Sequence, residues 1–434
     1  MPVVLATIIV AGPQFAAPVR IEADGKPIDV TTGHAAPYVY DFDGDGTRDL
    51  LVGEFGSGSF KGEVHEQGSG SHTWANGRLR VYRNYGTDTQ PRFKDWAYMQ
   101  GGGETACVPI TCCVSFVPQF VDYDNDGTDD VLSASYPGDM YWWKGNGDGT
   151  YGKATQLKNE DGNVLLAWEP LGEQYWKKAG KKVQDIHSTT AELHDMDADG
   201  DLDLWIGSRL DGAFTIENVG TRSAPVWSAD CSELKDSSGK HIGGWSGGGS
   251  NIHWADWDGD GTSDVVFGGE EGGVRYCHNS GDDDKPVLDP PVKLIPDMSR
   301  KEMFAKLQVP VRNASRCKVH VIDWDGDGLN DLLVGDFGAT YTRVQTLTPE
   351  QVDGKKAFES RRSTLTQEAI PLWNAREPLT AEQKSRLEAI DAQLGAMWEE
   401  GEQYEEYDRT SNGWVWFYRQ LPADSTATAE VDTK

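Results

Sequence analysis

Twenty aspartates of this chain fall into five copies of one nine-residue pattern, D-x-D-x-D-G-x-x-D. They are Asp41, Asp43, Asp45 and Asp49; Asp122, Asp124, Asp126 and Asp130; Asp195, Asp197, Asp199 and Asp203; Asp256, Asp258, Asp260 and Asp264; and Asp323, Asp325, Asp327 and Asp331. Carboxylates at positions 1, 3, 5 and 9, with a backbone carbonyl expected at position 7, make an all-oxygen cage. Its size and flexibility suit Ca²⁺ better than Mg²⁺ or zinc. Glycine stands at position 6 of every copy (Gly46, Gly127, Gly200, Gly261, Gly328), where the chain must turn sharply. An EF-hand shares the first six positions but requires Glu at position 12, and no copy has it; Val52, Ser133 and Phe267 stand there in three of them. Asp/Gly runs also make plain polar turns, yet all five copies keep all four carboxylates. The expectation is therefore about five structural Ca²⁺ ions that staple hairpins.

Elements on either side must hold those loops. Short apolar stretches precede the aspartates (Tyr38-Val39-Tyr40, Gln119-Phe120-Val121) and follow them (Leu50-Leu51-Val52-Gly53, Leu332-Leu333-Val334-Gly335), so each loop joins two strands, A and B. A third strand, C, is expected at residues 78–84, 140–143, 213–218 and 273–279. A fourth, D, is expected around Pro91-Arg92-Phe93 and Pro225-Val226-Trp227. Successive loops lie 61 to 81 residues apart, the spacing of one four-stranded blade plus a connection. The fifth unit finds its C strand only at 413–418 and has no D strand after it. Pro13-Gln14-Phe15 supplies one from the other terminus, because it matches Pro225-Val226-Trp227, and Asp24 to Ile28 match Ser238 to Ile242. Closing the ring this way removes free sheet edges. The fold expected is all-β, a five-bladed β-propeller over residues 13–420, with seven blades as the alternative.

The repeated D-x-D-x-D-G-x-x-D-[LV] core over residues 13–336, returning at 413–420, resembles the FG-GAP or VCBS repeats, calcium-binding propeller repeats of integrin alpha-subunit heads and secreted bacterial proteins. The resemblance implies that the twenty aspartates ligate Ca²⁺. Activity varies across that family, so it leaves function open.

Composition narrows the partners. Asp and Glu number 70 against 40 Lys and Arg, a formal charge of −30, which argues against nucleic acid or an anionic membrane. No apolar run is long enough to span a bilayer. Val3 to Ala11, within residues 1–12, reads equally as the end of a secretory signal or as an extra strand, and 421–434 reads as a flexible tail. The expected location is secreted, extracellular or periplasmic. Six cysteines fit an oxidising compartment; a disulfide from Cys107 to Cys112 or Cys113 is the first expectation. A second metal in the channel, on Cys113, Cys317, His34 and His187, is the other.

Strand order gives the loops two faces, and the long insertions (54–77, 100–115, 158–187, 228–250, 296–316 and 337–412) all emerge opposite the aspartate loops. The last contains a helix from Thr380 to Trp398 with a capping box at Thr380 and Gln383, a lid or a cover for blade surface. On that face His34, Cys112, Cys113, His187, Ser250, Arg316 and Cys317 ring the entrance of the A strands. Tyr38, Gln119, Glu192, His253 and His320 follow three positions before each first aspartate. His34, His187, Arg316 and Tyr38 are the catalytic candidates for a lyase acting on an acidic polysaccharide. The same residues would also suit the lining of a water-filled channel. Trp74, Trp168, Trp176 and Trp245 stand in polar or Gly-rich loops where a sugar could stack, whereas Trp142, Trp143, Trp414 and Trp416 belong to packing between blades. No nucleophile, phosphate-loop or cofactor motif is present. Three functions remain: a carbohydrate- or polysaccharide-binding module on the face opposite the aspartate loops, an enzyme at the channel mouth, or an adhesion module for a protein partner.

Overall fold

A computed structural model describes residues 14–30, 32–61, 74–110, 114–166, 186, 188–209, 211–243, 251–373, 375 and 379–422. It divides into two compact units, one of residues 1–305, 310–338 and 411–434 and the other of 306–309 and 339–410.

The first unit is a five-bladed β-propeller. Its B strands are mostly apolar after the loop aspartate and buried along their whole length (Asp49–Glu54, Asp130–Ala134, Asp203–Ser208, Asp264–Gly268). Each pairs antiparallel with an A strand on one side and a C strand on the other. Blade 2 runs Gln119–Val121, Asp130–Ala134, Met140–Gly145 and Tyr151–Gln156 in that spatial order. Blade 3 runs Thr189–His194, Asp203–Ser208, Gly212–Ile216 and Ser232–Glu233. Blade 4 runs Asn251–Ala255, Asp264–Gly268, Val274–Cys277 and Val292–Ile295. Blade 1 splits its outer strand, for both Ala97–Tyr98 and Cys107–Ile110 pair with Ala75–Tyr82. Part of the expected 100–115 insertion is thus strand. Blade 5 joins Ser315–Ile322, Asp331–Arg343 and Val415–Tyr418 to the N-terminal Val19–Arg20, with Val19 opposite Phe417. The ring closes through the N-terminal segment, and five blades, not seven, complete it.

The outer strands lie downstream of where the sequence suggested, for a specific reason. Asn84 Oδ1 accepts the N–H groups of Gly86 and Arg92 at 2.8 and 3.0 Å, and Asn218 Oδ1 those of Gly220 and Val226 at 3.0 and 2.9 Å. Asn279 does the same for Gly281 and Val287. These amides hold Pro91–Phe93 and Pro225–Trp227 in the turn, so strand D begins later. At the N-terminus Gln14–Phe15 likewise pairs with Gln420–Leu421 before Val19–Arg20 takes the outer position.

Apolar residues collect between blades, not inside them. Among the described residues there are five such clusters, one at each blade junction; Leu132 and Met140 of blade 2 pack with Leu193 and Ile206 of blade 3, for example. Glycine makes the closest approach possible. A Cβ on Gly53 would lie 1.6 Å from the Phe116 carbonyl oxygen, one on Gly268 2.1 Å from that of Cys317, and one on Gly335 2.2 Å from that of Ala35.

The second unit contains two helices, α1 (Pro349–Trp373) and α2 (Ala381–Glu402). Thr380 caps α2 with Gln383 in a reciprocal box, and Arg386 forms a two-pronged ion pair with Glu368 at 2.6 and 2.7 Å. Helix α1 is absent from the sequence reading, since its apolar residues make no stripe and Pro371 lies inside it. Among the described residues no helix is long and apolar enough to cross a membrane.

Candidate metal loops and channel site

Each A–B turn folds on its own carboxylates. The first aspartate accepts the N–H of the position-6 glycine at 2.9 to 3.1 Å in all five copies (Asp41 from Gly46, Asp122 from Gly127, Asp195 from Gly200, Asp256 from Gly261, Asp323 from Gly328). The position-5 aspartate accepts the N–H two residues on. Glycine at position 6 serves conformation alone, because φ lies between 86° and 94° there and nothing would touch an added Cβ. Position 4 is also left-handed in every copy, occupied by Gly44, Asn125, Ala198, Gly259 and Gly326.

The ninth residue anchors the loop to the blade. Asp49, Asp130, Asp203, Asp264 and Asp331 are buried. One oxygen of each accepts the N–H of position 2, and the other accepts an N–H at or just past the end of strand C: Asn84, Gly145, Asn218, Asn279 and Gln420, at 2.6 to 2.8 Å. Burial pushes the carboxyls of Asp49, Asp130, Asp203 and Asp331 up to about 6, so without a cation these sites strain against their own charge.

These loops fit a divalent cation. Oxygens of Asp41, Asp43 and Asp45, of Asp122, Asp124 and Asp126, and of Asp195, Asp197 and Asp199 lie within 4.8 Å of one another in each group. Asp201 Oδ1 and Asp124 Oδ1 are buried without a hydrogen-bond partner, which is where an ion would supply one. The donor set is all oxygen, the preference of a hard cation.

The residues three before each first aspartate are staples between blades. Tyr38 Oη accepts the Phe120 N–H at 3.4 Å, Gln119 Oε1 that of Leu193 at 2.7 Å, Glu192 Oε2 that of Trp254 at 3.0 Å and His320 Nε2 that of Val39 at 3.3 Å. Between blades 4 and 5 Asn251 Oδ1 takes the Val319 N–H, leaving His253 to bond Glu192 at 2.8 Å. Burial holds His320 well below the usual histidine range, which keeps its ring neutral and able to accept. Tyr38 therefore lies in this ring, its own ring 4.6 Å from that of His320 and tilted to it, and is not brought together with the mouth residues.

At the mouth, His34 and Arg316 meet. Arg316 Nη1 is 3.2 Å from His34 Nε2, and both residues have left-handed backbones, φ 63° and 59°. Ser188, at the same place in blade 3, has φ 56°. His34 stacks on Phe337 at 4.5 Å. Glu270 receives Arg209 through two bonds of 2.5 and 2.7 Å and Arg316 at 3.4 Å; burial would raise its carboxyl, but the two guanidiniums hold it low. Strain of this kind in non-glycine residues gathers at functional sites.

The other expectations fare differently. Trp74 is packed against Tyr136 with 9% of its surface exposed, so it presents no stacking face. Cys107 is a thiol, not half of a disulfide; its strand places it opposite Arg78. Residues 1–12, Cys112, Cys113, Trp168, Trp176, His187, Trp245, Ser250 and 423–434 lie outside the described residues. Sequence reasoning missed a cavity of about 520 Å³ between blades 1 and 2, lined by Phe42, Arg83, Tyr85, Trp96, Tyr98 and Tyr151. Trp96 is 40% and Tyr85 46% exposed there. Nothing in the local sequence separates Trp96 from a packing residue.

Residues 122–172 match the family model described as an FG-GAP-like repeat. Blade 2 is thus similar to an FG-GAP-like repeat. The match starts at the first aspartate of the second loop, and the other four loops share its hydrogen-bond scheme. No curated protein matches the chain significantly. A solved structure described as "Crystal Structure of TcdB2-TccC3" is similar over 78% of this chain and 15% of that chain, at 14% identity and a TM-score of 0.29. This chain thus spans a small part of that one, and the fold rests on its own strand pairing.

Proposed function

We propose that this chain is a secreted, calcium-stabilised propeller that binds carbohydrate. Calcium in the five aspartate loops is supported by the oxygen-only donor set and by the buried carboxyls that need a counter-charge. A location outside the cytoplasm agrees with a formal charge of −30, because such a protein relies on ambient calcium.

The observation that carries the ligand class is the aromatic cleft of blades 1 and 2. Trp96 keeps much of its ring in water, Tyr98 meets it edge-on at 4.8 Å, and the Arg80 guanidinium lies 4.2 Å from its centroid. Flat rings beside Arg83, Asp95, Gln100 and Thr150 suit a sugar, whose C–H face stacks while its hydroxyls take polar partners. The proposed site thereby moves from the insertion-rich face to the cleft beside Phe42 and Arg83. A glycan array on calcium-loaded protein tests it. Trp96→Ala should lower affinity by at least about tenfold, the worth of one aromatic anchor; equal retention by the variant would place the sugar elsewhere.

The channel mouth favours a second reading. His34, Arg316 and Arg209 around Glu270 could neutralise a uronate carboxylate and accept a proton, as an acidic-polysaccharide lyase requires. Unsaturated uronate appearing in a polysaccharide panel would favour it. Silence in both assays would point to a protein partner.

A further inference from the structure

We propose that the five aspartate loops are a graded set of cation sites, with the blade-3 loop binding divalent cation most tightly and the loops of blades 1, 2 and 5 each carrying a built-in rival cation. The inference rests on the calcium reading above.

Five repeats provide an internal comparison at one register position. The residue just before the one whose N–H caps the ninth aspartate is Arg83, Lys144, Glu217, His278 and Arg419 in blades 1 to 5. In blade 1 Arg83 Nη1 lies 2.6 Å from Asp43. In blade 2 Lys144 Nζ bonds both Asp124 and Asp126, the latter at 2.6 Å. In blade 5 Arg419 reaches Asp325 at 2.5 Å and Asp327 at 3.0 Å. These are the carboxylates of positions 3 and 5, the ones an ion would need. Blade 4 has a weaker version: His278 Nδ1 is 3.3 Å from Asp258, and the Tyr276 hydroxyl donates to the same carboxylate at 2.9 Å.

Blade 3 reverses the charge. Glu217 occupies the place of the cation, and among the described residues no Lys or Arg pairs with Asp195, Asp197, Asp199, Asp201 or Asp203. Position 7, Thr or Leu elsewhere, is here Asp201. Asp201 is 5% exposed and its Oδ1 has no partner, in a loop that holds four more aspartates. A buried, unpartnered carboxylate oxygen inside an acidic loop is a group that a bound cation would satisfy.

Ion entry therefore differs between loops. In blades 1, 2 and 5 an incoming ion must displace an ammonium or guanidinium, and on its departure that group returns to the carboxylates. In blade 3 no Lys or Arg among the described residues takes the ion's place, so it binds first and leaves last. Grading of this kind lets the propeller keep one ion where calcium is scarce and fill the rest where it is abundant.

Isothermal titration of chelator-stripped full-length chain with calcium chloride tests the grading. The expected isotherm has one tight class followed by weaker ones. Glu217→Lys should weaken the tight class by about tenfold or more, and Lys144→Gln should strengthen one weak site by a similar factor. Glu217 is exposed and Lys144 half-exposed, so neither change threatens folding. Five equivalent sites, indifferent to both substitutions, would overturn the grading and leave the calcium reading standing. No binding at any loop would overturn both.

Discussion

His320 Nε2 accepts the backbone N–H of Val39 at 3.3 Å, although 281 residues separate them in the chain. The bond joins blade 5 to blade 1, and its counterparts at Tyr38, Gln119 and Glu192 join the next three pairs of blades. Polar residues on the inner strands thus fasten the ring. His320→Ala leaves the Val39 N–H buried without a partner and should cost about 1–3 kcal/mol. Urea unfolding of the variant measures it; an unchanged midpoint would mean that water replaces the imidazole at no cost.

Backbone contact between blades makes a second prediction. Gly53→Ala would put a methyl 1.6 Å from the Phe116 carbonyl, and only backbone movement relieves that. A loss of about 3 kcal/mol or more is expected. Gly103→Ala is the control: it has φ 85° and open space around it, so it should show only the strain of a left-handed alanine, about 1–2 kcal/mol.

Ala198 already bears that strain at φ 61°, in the place where three other loops have glycine. Ala198→Gly should therefore raise stability by about 1 kcal/mol, despite the greater freedom it gives the unfolded chain. A lower melting temperature for this variant would contradict the assignment.

Lys318 predicts a pH dependence. It is buried, its Nζ donates to the Arg316 carbonyl at 3.1 Å, and burial lowers its pKa to about 7. Its unfolded value is near 10.4, so between about pH 7 and 10 the unfolded chain holds more protons and this group's share of stability rises with pH. Asp336 works in the opposite sense at lower pH. Its carboxyl is raised to about 7 by burial, so stability from that source falls as pH climbs from about 4 to 7. Lys318→Met should remove the rise between about pH 7 and 10 while Asp336 keeps its own effect; an identical slope in the variant would show that Lys318 is not its source.

Much of this was legible in the sequence. Five aspartate loops, their strand–loop–strand setting and the N-terminal closure follow from residue types and spacing, because local turn chemistry decides them. The outer strands were misplaced because Asn84 and Asn218 hold their turns open through contacts eight residues away. Tyr38 reads as a catalytic candidate because a period-2 pattern says only that a face is polar, and whether such a face meets a substrate or the neighbouring blade depends on ring geometry. Trp74 and Trp96 were told apart only by burial, which a loop's composition does not encode.

Calcium in the loops is the central claim, and its most direct test is a melting curve before and after chelation, with metal removal verified by elemental analysis. A ligand that binds only the folded chain stabilises it by about 4 kcal/mol per site at a thousandfold excess over Kd. The melting temperature should fall by many degrees on stripping and return with Ca²⁺ but not with Mg²⁺. An unchanged curve on metal-free protein would contradict the account.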